Sequence, residues 1–197
     1  PSEGPAPSEG PAILAGGLVV PSGVQPGNLA CAIGVARALG LGAEAIASRL
    51  SGLPAVGHRL EAGRSPAGFA VLDDTYNSNP SGAREALAAL VAQPVAPGAS
   101  AEPGSRRLVV VTPGMVELGR RQAEENRAFA SAAALAATDL VVVGRTNRRA
   151  LVAGSTVPDG ATVHLVANRE KAVAWVRANL AAGDVVLYEN DLPDHYP

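Results

Sequence analysis

The sequence predicts an α/β domain of the doubly wound, Rossmann-like kind with a mostly parallel sheet. After Gly82, short apolar runs typical of buried strands alternate with stretches of helical periodicity. Several of these runs end in polar or glycine-containing turns, as strands do at the ligand-binding edge of such sheets. Strands separated by helices favour right-handed crossovers between parallel neighbours.

The predicted elements follow one another regularly. An apolar run predicts the first strand at residues 68–72, and further strands are predicted at 107–112, 139–143, 162–166 and 184–189. Helices are predicted between them at 83–92, 122–137, 147–153 and 169–181. Two Ala-rich stretches with apolar residues at helical spacing predict earlier helices at 30–38 and 43–50.

Composition divides the chain into three parts. Residues 1–12 repeat PSEGPA, and such a sequence buries too little surface to offset the entropy of ordering, so we expect a linker or insertion. Residues 13–56 hold the two Ala-rich helices, and residues 57–197 hold the α/β pattern. A Pro-, Gly- and Ala-rich stretch at 93–104 predicts a long surface loop.

The overall composition argues against several classes of function. The chain has 197 residues, 47% of them hydrophobic, and a net charge of -2, so it offers no basic surface for nucleic acid. No apolar run has the length of a membrane span, and we expect a cytoplasmic protein. The single cysteine, Cys31, is interpreted as a small core residue. The histidines lack metal-ligand spacing, so no metal site is assigned to them.

Paired acids follow the first strand of the sheet. The run at residues 68–72 leads directly into Asp73 and Asp74. Because an acid at the carboxyl end of such a strand can accept hydrogen bonds from ribose hydroxyls, Asp74 is a candidate ribose ligand. Arg59, one loop earlier, has a guanidinium group suited to phosphate or carboxylate. A helix N-cap or a turn is the alternative interpretation of the two acids.

Two later strands also end in turns that contain glycine. Gly114 and Met115 follow the second strand, and Gly144 and Arg145 follow the third. Glycine permits close approach of the backbone to a ligand, and amides at the start of a following helix favour an anion. Neither turn matches GxGxxG or a P-loop. Tight-turn geometry is the alternative for Gly144, and a solvated basic surface is the alternative for Arg145.

Two ordered motifs resemble the C-terminal domain of the Mur ligase family. HRLE at residues 58–61, an apolar strand and DDTYNSNP at 73–80 resemble its start, and VVVTPGMVELG at 109–119 resembles its second strand and the following loop. Residues 27–56 resemble the last helices of the family's central ATPase domain, where an Asn approaches adenine. Asn28 matches that Asn, although Gly27 replaces the His that often precedes it. A helix cap is the alternative for Asn28.

The resemblance implies an ATP-dependent ligase of peptidoglycan precursor synthesis. In that family ATP phosphorylates a carboxylate of a UDP-linked muramoyl peptide, and the amine of the incoming amino acid or peptide attacks the acyl phosphate. The motifs resemble most the members whose incoming group is D-alanyl-D-alanine. The expected substrates are therefore a UDP-linked muramoyl peptide and D-alanyl-D-alanine, and the expected cofactors are ATP and Mg²⁺, which supports charge on the phosphates.

The resemblance also implies site residues. The residues expected to bind or shape the ATP site are Asn28, Arg59, Asp74, Tyr76 and Asn79. Those expected on the substrate side are Asn77, Gly114, Met115, Glu117 and Arg145, with a loop-capping role as the alternative for Glu117. No GK[ST] P-loop occurs and no Mg²⁺ ligand can be assigned, so the main catalytic groups are expected in N-terminal and central domains outside this chain. By itself the chain is not expected to catalyse the reaction.

The last strand departs from the family pattern. GDVVLYEND at residues 183–191 matches the family's Gly-Asp-x-Val-Leu strand, but Glu189, Asn190 and Asp191 replace the usual Lys-Gly-Ser. An acidic loop would repel a free carboxylate and could recognise an ammonium group, whereas a solvated tail is the structural alternative. Two other functions stay open: a folylpolyglutamate-synthase-like or cyanophycin-synthetase-like ligase, and a non-catalytic module that binds a nucleotide or a partner protein.

Overall fold

The computed structural model describes residues 13–14, 18–19, 26–50, 52–53, 57–94 and 106–191. The chain forms two compact units, residues 1–56 and residues 57–197. The linker or insertion expected at residues 1–12 and most of the loop expected at 93–104 lie outside the described residues.

The described residues of the first unit form a short antiparallel ladder and two helices. Strand β1 (Ile13–Leu14) pairs with β2 (Leu18–Val19), and helices α1 (Pro26–Ala38) and α2 (Ala43–Leu50) follow. Both helices were predicted. Cys31 on α1 is exposed, so its interpretation as a core residue is wrong. The buried residue described on α1 is Leu29, and Cys31, two positions further along the helix, lies on a different side.

The second unit is built on a six-stranded sheet. In chain order its strands are β3 (Glu61–Arg64), β4 (Ala70–Asp74), β5 (Leu108–Thr112), β6 (Asp139–Val143), β7 (Thr162–Val166) and β8 (Val185–Glu189). Their order across the sheet is β3-β4-β8-β5-β6-β7. Only the edge strand β3 is antiparallel to its neighbour, so the prediction of a mostly parallel sheet is confirmed.

Within the described residues, four α-helices connect the strands, and two of them begin at an asparagine N-cap. They are α3 (Pro80–Val91), α4 (Gln122–Ala136), α5 (Arg148–Gly154) and α6 (Arg169–Asn179). A 3₁₀ turn at Gly119–Arg121 precedes α4. The Asn79 side chain accepts hydrogen bonds from backbone amides in the first turn of α3, and Asn168 does the same for α6. Both residues are therefore N-caps, which satisfy donors that a helix start leaves unpaired.

The helices cover both faces of the sheet, which makes the unit doubly wound. One face packs against α3, α4 and α5, where Leu90 and Ala133 join the sheet residue Val110 in one apolar cluster. The other face packs against α6, where Val176 joins Val141. Alternate residues of β5 and β6 point to opposite clusters, as the period of a strand requires. Burial on both faces explains the continuous apolar runs of the central strands.

The structure adds the strand β3, which was not predicted. Its four residues, EAGR, are all exposed and show no alternation of apolar and polar side chains. The strand forms because residues 61–64 pair with 70–73 of β4, so Ser65 to Phe69 close a hairpin. Pairing with a neighbour, rather than local preference, makes this segment a strand.

Candidate functional site

The sheet order brings three strand ends together at the carboxyl edge. Strand β8 lies between β4 and β5, and Asp74 at the end of β4 is in register with Glu189 at the end of β8. Thr112 ends β5 on the other side, and its hydroxyl donates a hydrogen bond of 2.5 Å to Glu189 Oε2. Polar residues predicted from separate strands therefore share one edge, where open α/β sheets bind ligands.

The HRLE and DDTY segments form one substructure at this edge. The backbone N–H of Tyr76 donates to the carbonyl of His58 at 3.0 Å, and the N–H of Leu60 donates to Asp74 Oδ1 at 3.0 Å. Nδ1 of His58 lies 2.7 Å from Asp73 Oδ2. His58 and Leu60 both have a left-handed backbone conformation, with φ of 59° and 51°. Residues other than glycine rarely adopt this conformation, so the contacts described here stabilise a strained turn. The two parts of the motif thus act as one element.

The two neighbouring acids have different electrostatic environments. Burial raises the pKa of the Asp74 carboxyl, and the nearby charge of Asp73 raises it further. The hydrogen bond from Leu60 and the charge of Arg59 act in the opposite direction but do not cancel the rise. Burial also acts to raise the pKa of Asp73, but hydrogen bonds from Thr75 and His58 bring it below its usual value. The same hydrogen bond raises the pKa of the exposed His58 imidazole. Asp73 is therefore a structural anion that holds His58 and Thr75 in place.

Arg59 and Tyr76 together form an exposed planar surface. The Arg59 guanidinium carbon lies 4.8 Å from the centre of the Tyr76 ring, which is a cation–π contact. Tyr76 is 61% exposed, and Asn77 beside it is also exposed. This surface can contact a planar ligand group and an anion at once. Asn79 differs, because its Oδ1 accepts from the amides of Ser81 and Gly82 at 3.1 Å as a helix cap.

Glu189 is fully buried, which corrects the interpretation of the last strand. Its carboxylate accepts hydrogen bonds from the hydroxyls of Ser78 and Thr112. Burial raises the pKa of Glu189 to about 7. The nearby Asp74 adds to this rise, and the two hydrogen bonds oppose it. Glu189 is thus neither part of an exposed acidic loop nor of a solvated tail. A sequence signal existed, since Glu189 follows Val185 and Leu187 at the strand period of two.

The rest of the acidic segment is also held by the protein. Asn190 is 6% exposed with φ of 61°, and its backbone N–H donates to the carbonyl of Asp74 at 3.1 Å. Asp191 forms an ion pair with Arg169 at the start of α6. The segment therefore continues the sheet edge, because each of its three residues has a partner on a neighbouring element.

Three asparagines hold the loop after β5, and sequence reasoning had missed this role. Asn190 Nδ2 donates to the Gly114 carbonyl at 2.7 Å, and Asn147 Nδ2 donates to the Met115 carbonyl at 3.1 Å. Asn126 accepts from the Met115 N–H and donates to its carbonyl, both at 2.8 Å. A sequence signal existed for Asn126, which shares a helical face with apolar residues of α4.

The same loop places two residues expected on the substrate side. Met115 is 0% exposed, and Gly114 has φ of 79°. A Cβ atom on Gly114 would lie 2.4 Å from Asn126 Oδ1, so only glycine fits without a shift. The Gly114 and Met115 backbone groups are bonded within the protein, and substrate contact by either residue stays a prediction.

The remaining expected site residues, Glu117, Arg145 and Asn28, are all exposed. Glu117 is exposed with φ of 63°, and Arg145 is exposed after Gly144, whose φ of 70° fits a tight turn. Asn28 lies exposed within the first turn of α1, in the other compact unit. Ligand contacts by these residues stay predictions.

The described residues do not fit a magnesium site. Within the described ranges, no three His, Cys, Asp or Glu side chains are grouped so that they could hold a metal ion. The described helices also include none that is long and apolar enough to cross a membrane.

The fold and the site geometry agree with a family comparison. The model of the family described as "Mur ligase, glutamate ligase domain" matches residues 58–188, and the chain belongs to the Mur ligase family. Over 182 residues it is 34% identical to the UDP-N-acetylmuramoyl-tripeptide--D-alanyl-D-alanine ligase of Mycobacterium bovis. That match covers 83% of this chain and 34% of the relative, so the chain spans about a third of the relative's length.

Solved structures show the same fold. MurF from Acinetobacter baumannii matches with a TM-score of 0.58 and 22% identity, covering 83% of this chain and 33% of that one. MurF ligase from Thermotoga maritima, solved in complex with ADP, matches with a TM-score of 0.53 and 21% identity, covering 83% of this chain and 34% of that one. At these identities the likeness establishes the fold of the matched region.

Proposed function

We propose that this chain is the C-terminal part of an ATP-dependent ligase that adds D-alanyl-D-alanine to a UDP-N-acetylmuramoyl peptide. The observation that carries the proposal is the substructure in which the HRLE segment is bonded to DDTY at the carboxyl edge. The name of the Mycobacterium bovis relative supports this substrate pair, and the ADP complex of the Thermotoga maritima structure supports a nucleotide. Such a ligase acts in cytoplasmic peptidoglycan synthesis, and thereby in cell-wall growth, cell shape and division.

The exposed side of the substructure suits a nucleotide. Asp74, half-buried at the strand end, accepts a hydrogen bond from a ribose hydroxyl, and Arg59 pairs with phosphate or ribose oxygens. Tyr76 supports Arg59 through their stacking contact. Asn79 shapes the same edge as the cap of α3. The resemblance of residues 27–56 to the family's central domain carries the proposal that Asn28 contacts adenine.

The substrate side comprises the loops after β4, β5 and β6. Exposed Asn77, Glu117 and Arg145 offer polar contacts to the UDP-linked peptide or the dipeptide. Gly114 and Met115 form the buried base of the loop that carries Glu117. These loops follow strands that run parallel in one sheet, so they lie at the same edge.

Other domains of the same protein complete the site. The sequence has no GK[ST] P-loop, and the described acids form no magnesium site, so the N-terminal and central domains supply the phosphate-binding groups, the Mg²⁺ ligands and the main catalytic groups. We expect no ADP release from this chain alone. Release from the isolated chain at the rate of the intact protein would contradict that division of labour.

The test uses the intact protein that carries this chain. ADP release is measured with UDP-N-acetylmuramoyl-tripeptide, with and without D-alanyl-D-alanine, for the wild type and for Asp74→Asn. The variant keeps an oxygen for the Leu60 N–H but loses the charge that strengthens the hydrogen bond from the ribose hydroxyl, so we expect about a tenfold rise in KM for ATP. Asp159→Asn is the matched control, because Asp159 is an exposed acid in the loop before β7. Release that does not depend on D-alanyl-D-alanine would contradict the substrate assignment.

A second candidate function concerns the acceptor alone. The chain lacks the cationic Lys-Gly-Ser loop and has Glu189, Asn190 and Asp191 instead, so the alternative is an incoming amine other than D-alanyl-D-alanine, as in folylpolyglutamate-synthase-like or cyanophycin-synthetase-like ligases. A screen of amino acids and dipeptides for ADP release tests this alternative. Absence of release with every acceptor, while ADP still binds, would instead support a non-catalytic nucleotide- or partner-binding module.

A further inference from the structure

The buried carboxylate of Glu189 joins the two loops that carry most of the proposed site. Its Oε1 accepts from the hydroxyl of Ser78, between Asn77 and Asn79 in the loop after β4. Its Oε2 accepts from Thr112, whose oxygen in turn accepts the Gly114 N–H at 2.8 Å. A single side chain therefore connects the proposed nucleotide loop to the loop after β5.

We propose that Glu189 is a positioning residue whose carboxylate holds these two loops in register, and whose protonation changes the affinity of the edge for an anionic ligand. This proposal deepens the function proposed above and rests on it for the identity of the ligand.

The surroundings of Glu189 contain hydroxyls and one further acid. Ser78 and Thr112 solvate the carboxylate, and the charged group that acts on it is Asp74, in register on β4. The helix that covers β8 is α3, whose buried residues are all apolar: Ala83, Ala86, Leu87 and Leu90. With burial as the dominant cause, the pKa of Glu189 rises to about 7, so the group titrates in the neutral range.

Ionisation of Glu189 has a predictable effect on an anionic ligand. Below its pKa Glu189 is neutral, and above it Glu189 adds a negative charge in register with Asp74 on the neighbouring strand. Like charges in a partly buried site repel, so ATP binds more weakly as Glu189 ionises. By linkage, ATP binding then favours uptake of a proton by Glu189.

The first experiment measures loop order without any need for catalysis. Hydrogen–deuterium exchange of residues 75–79 and 112–116 is compared in the wild type, Glu189→Ala and Glu189→Gln, with correction for the intrinsic exchange rate. Loss of the bridge in Glu189→Ala should speed exchange in both loops about tenfold or more, while Glu189→Gln, which keeps the shape, retains most of the protection. Equal protection in wild type and Glu189→Ala would overturn the positioning role.

The second experiment measures the pH dependence of KM for ATP in the intact protein. We expect KM to be similar in wild type and Glu189→Gln at pH 6 and several-fold higher in the wild type at pH 8, since only the wild type gains the charge. Glu170→Gln, an exposed acid on α6, is the control and should follow the wild type. Identical pH profiles for wild type and Glu189→Gln would overturn the electrostatic role.

These two measurements separate failure of the inference from failure of the proposed function. If D-alanyl-D-alanine is not the acceptor, the exchange experiment and ADP binding across pH still test Glu189. If Glu189→Ala does not fold, Ser78→Ala removes one side of the bridge and should speed exchange mainly in residues 75–79. Unchanged exchange in Ser78→Ala would then count against the bridge.

Discussion

Two buried acids at opposite edges of the same sheet show how hydrogen-bond and charge partners set the pKa of a carboxyl group. Glu189 ends β8 at the carboxyl edge, and Asp139 begins β6 at the amino edge; they are 0% and 2% exposed. Burial raises the pKa of Glu189 to about 7 and Asp74 adds to the rise, while the hydrogen bonds from the hydroxyls of Ser78 and Thr112 only partly oppose it. Burial acts in the same direction on Asp139, but Arg107, His164 and Thr138 lower its pKa.

The geometry explains the difference. Arg107 binds Asp139 through two nitrogens, with Nη2 to Oδ1 at 2.8 Å and Nε to Oδ2 at 3.0 Å, and His164 Nε2 lies 2.8 Å from Oδ1. Trp175 covers this group, with its ring 4.4 Å from that of His164 and 5.4 Å from the Arg107 guanidinium. At the amino edge the charge of the buried Asp139 is thus balanced by its ion pair with Arg107, whereas at the carboxyl edge the hydrogen-bond partners of the buried Glu189 are neutral hydroxyls. Such uncompensated groups concentrate at functional sites.

The largest expected effect on stability comes from removing the ion pair between Arg107 and Asp139 at the amino edge. Asp139→Asn leaves Arg107 without its buried partner, and the free energy of unfolding should fall by roughly 3–4 kcal/mol, below the upper range for buried pairs because Arg107 is partly exposed. Urea denaturation at pH 7, followed by fluorescence of Trp175, measures this loss. The matched variant Asp159→Asn, at an exposed loop acid, should change stability little; an equal loss in both would contradict a special role for Asp139.

The comparison predicts opposite pH dependences for the two edges. The folded-state pKa of Glu189 is raised from 4.5 to about 7, so its stabilisation is complete below the unfolded value and is lost as the pH rises through about 7. This shift corresponds to about 3 kcal/mol. Asp139 has a lowered pKa, so its stabilisation is present above 3.8 and is lost at more acidic pH.

Denaturation at several pH values tests this second prediction. From pH 8 to pH 5 the wild type should gain stability relative to Glu189→Gln, which cannot ionise, by about 3 kcal/mol. Asp74→Asn should reduce that gain, since Asp74 contributes to the raised pKa of Glu189. A wild type that loses stability over this interval relative to Glu189→Gln would contradict the assignment.

A smaller effect is expected from the loop that the three asparagines hold. Gly114→Ala places a Cβ 2.4 Å from Asn126 Oδ1 and 2.9 Å from Asn147 Cβ at a φ of 79°, and should cost about 2 kcal/mol of unfolding free energy. Gly119→Ala is the control, since φ there is 55° but no atom lies within 4 Å. It should cost about 1 kcal/mol from backbone strain alone. Equal losses would show that the loop yields to the added methyl group.

The smallest expected effect on stability comes from removing a helix N-cap, and it tests whether Asn79 is a cap alone or also a site residue. Asn79→Ala and Asn168→Ala each remove a side-chain cap, from α3 and α6, and each should cost about 1 kcal/mol of unfolding free energy. If Asn79 also shapes the ATP site, only Asn79→Ala should raise KM for ATP in the intact protein. Equal changes in KM would indicate that Asn79 acts as a cap alone.

Local pattern predicted most of the second unit and part of its site. Alternation of strands and helices was recognisable because each element carries its own period, and the boundaries agree to within a few residues at β5, β6 and β7. The strand-end motif placed Asp74 correctly at the carboxyl edge. The strand β3 escaped prediction, because its residues lack the strand pattern and it forms by pairing with β4.

The sequence by itself determined the α/β class and the identity of the strand-end motifs, since these depend on neighbours a few residues away. Only the tertiary structure decided the state of Glu189, whose partners Ser78 and Thr112 are 111 and 77 residues distant in the chain. They meet it because β8 inserts between β4 and β5. Burial and the charge of Asp74 set the proton affinity of Glu189, and both depend on that strand order rather than on local sequence.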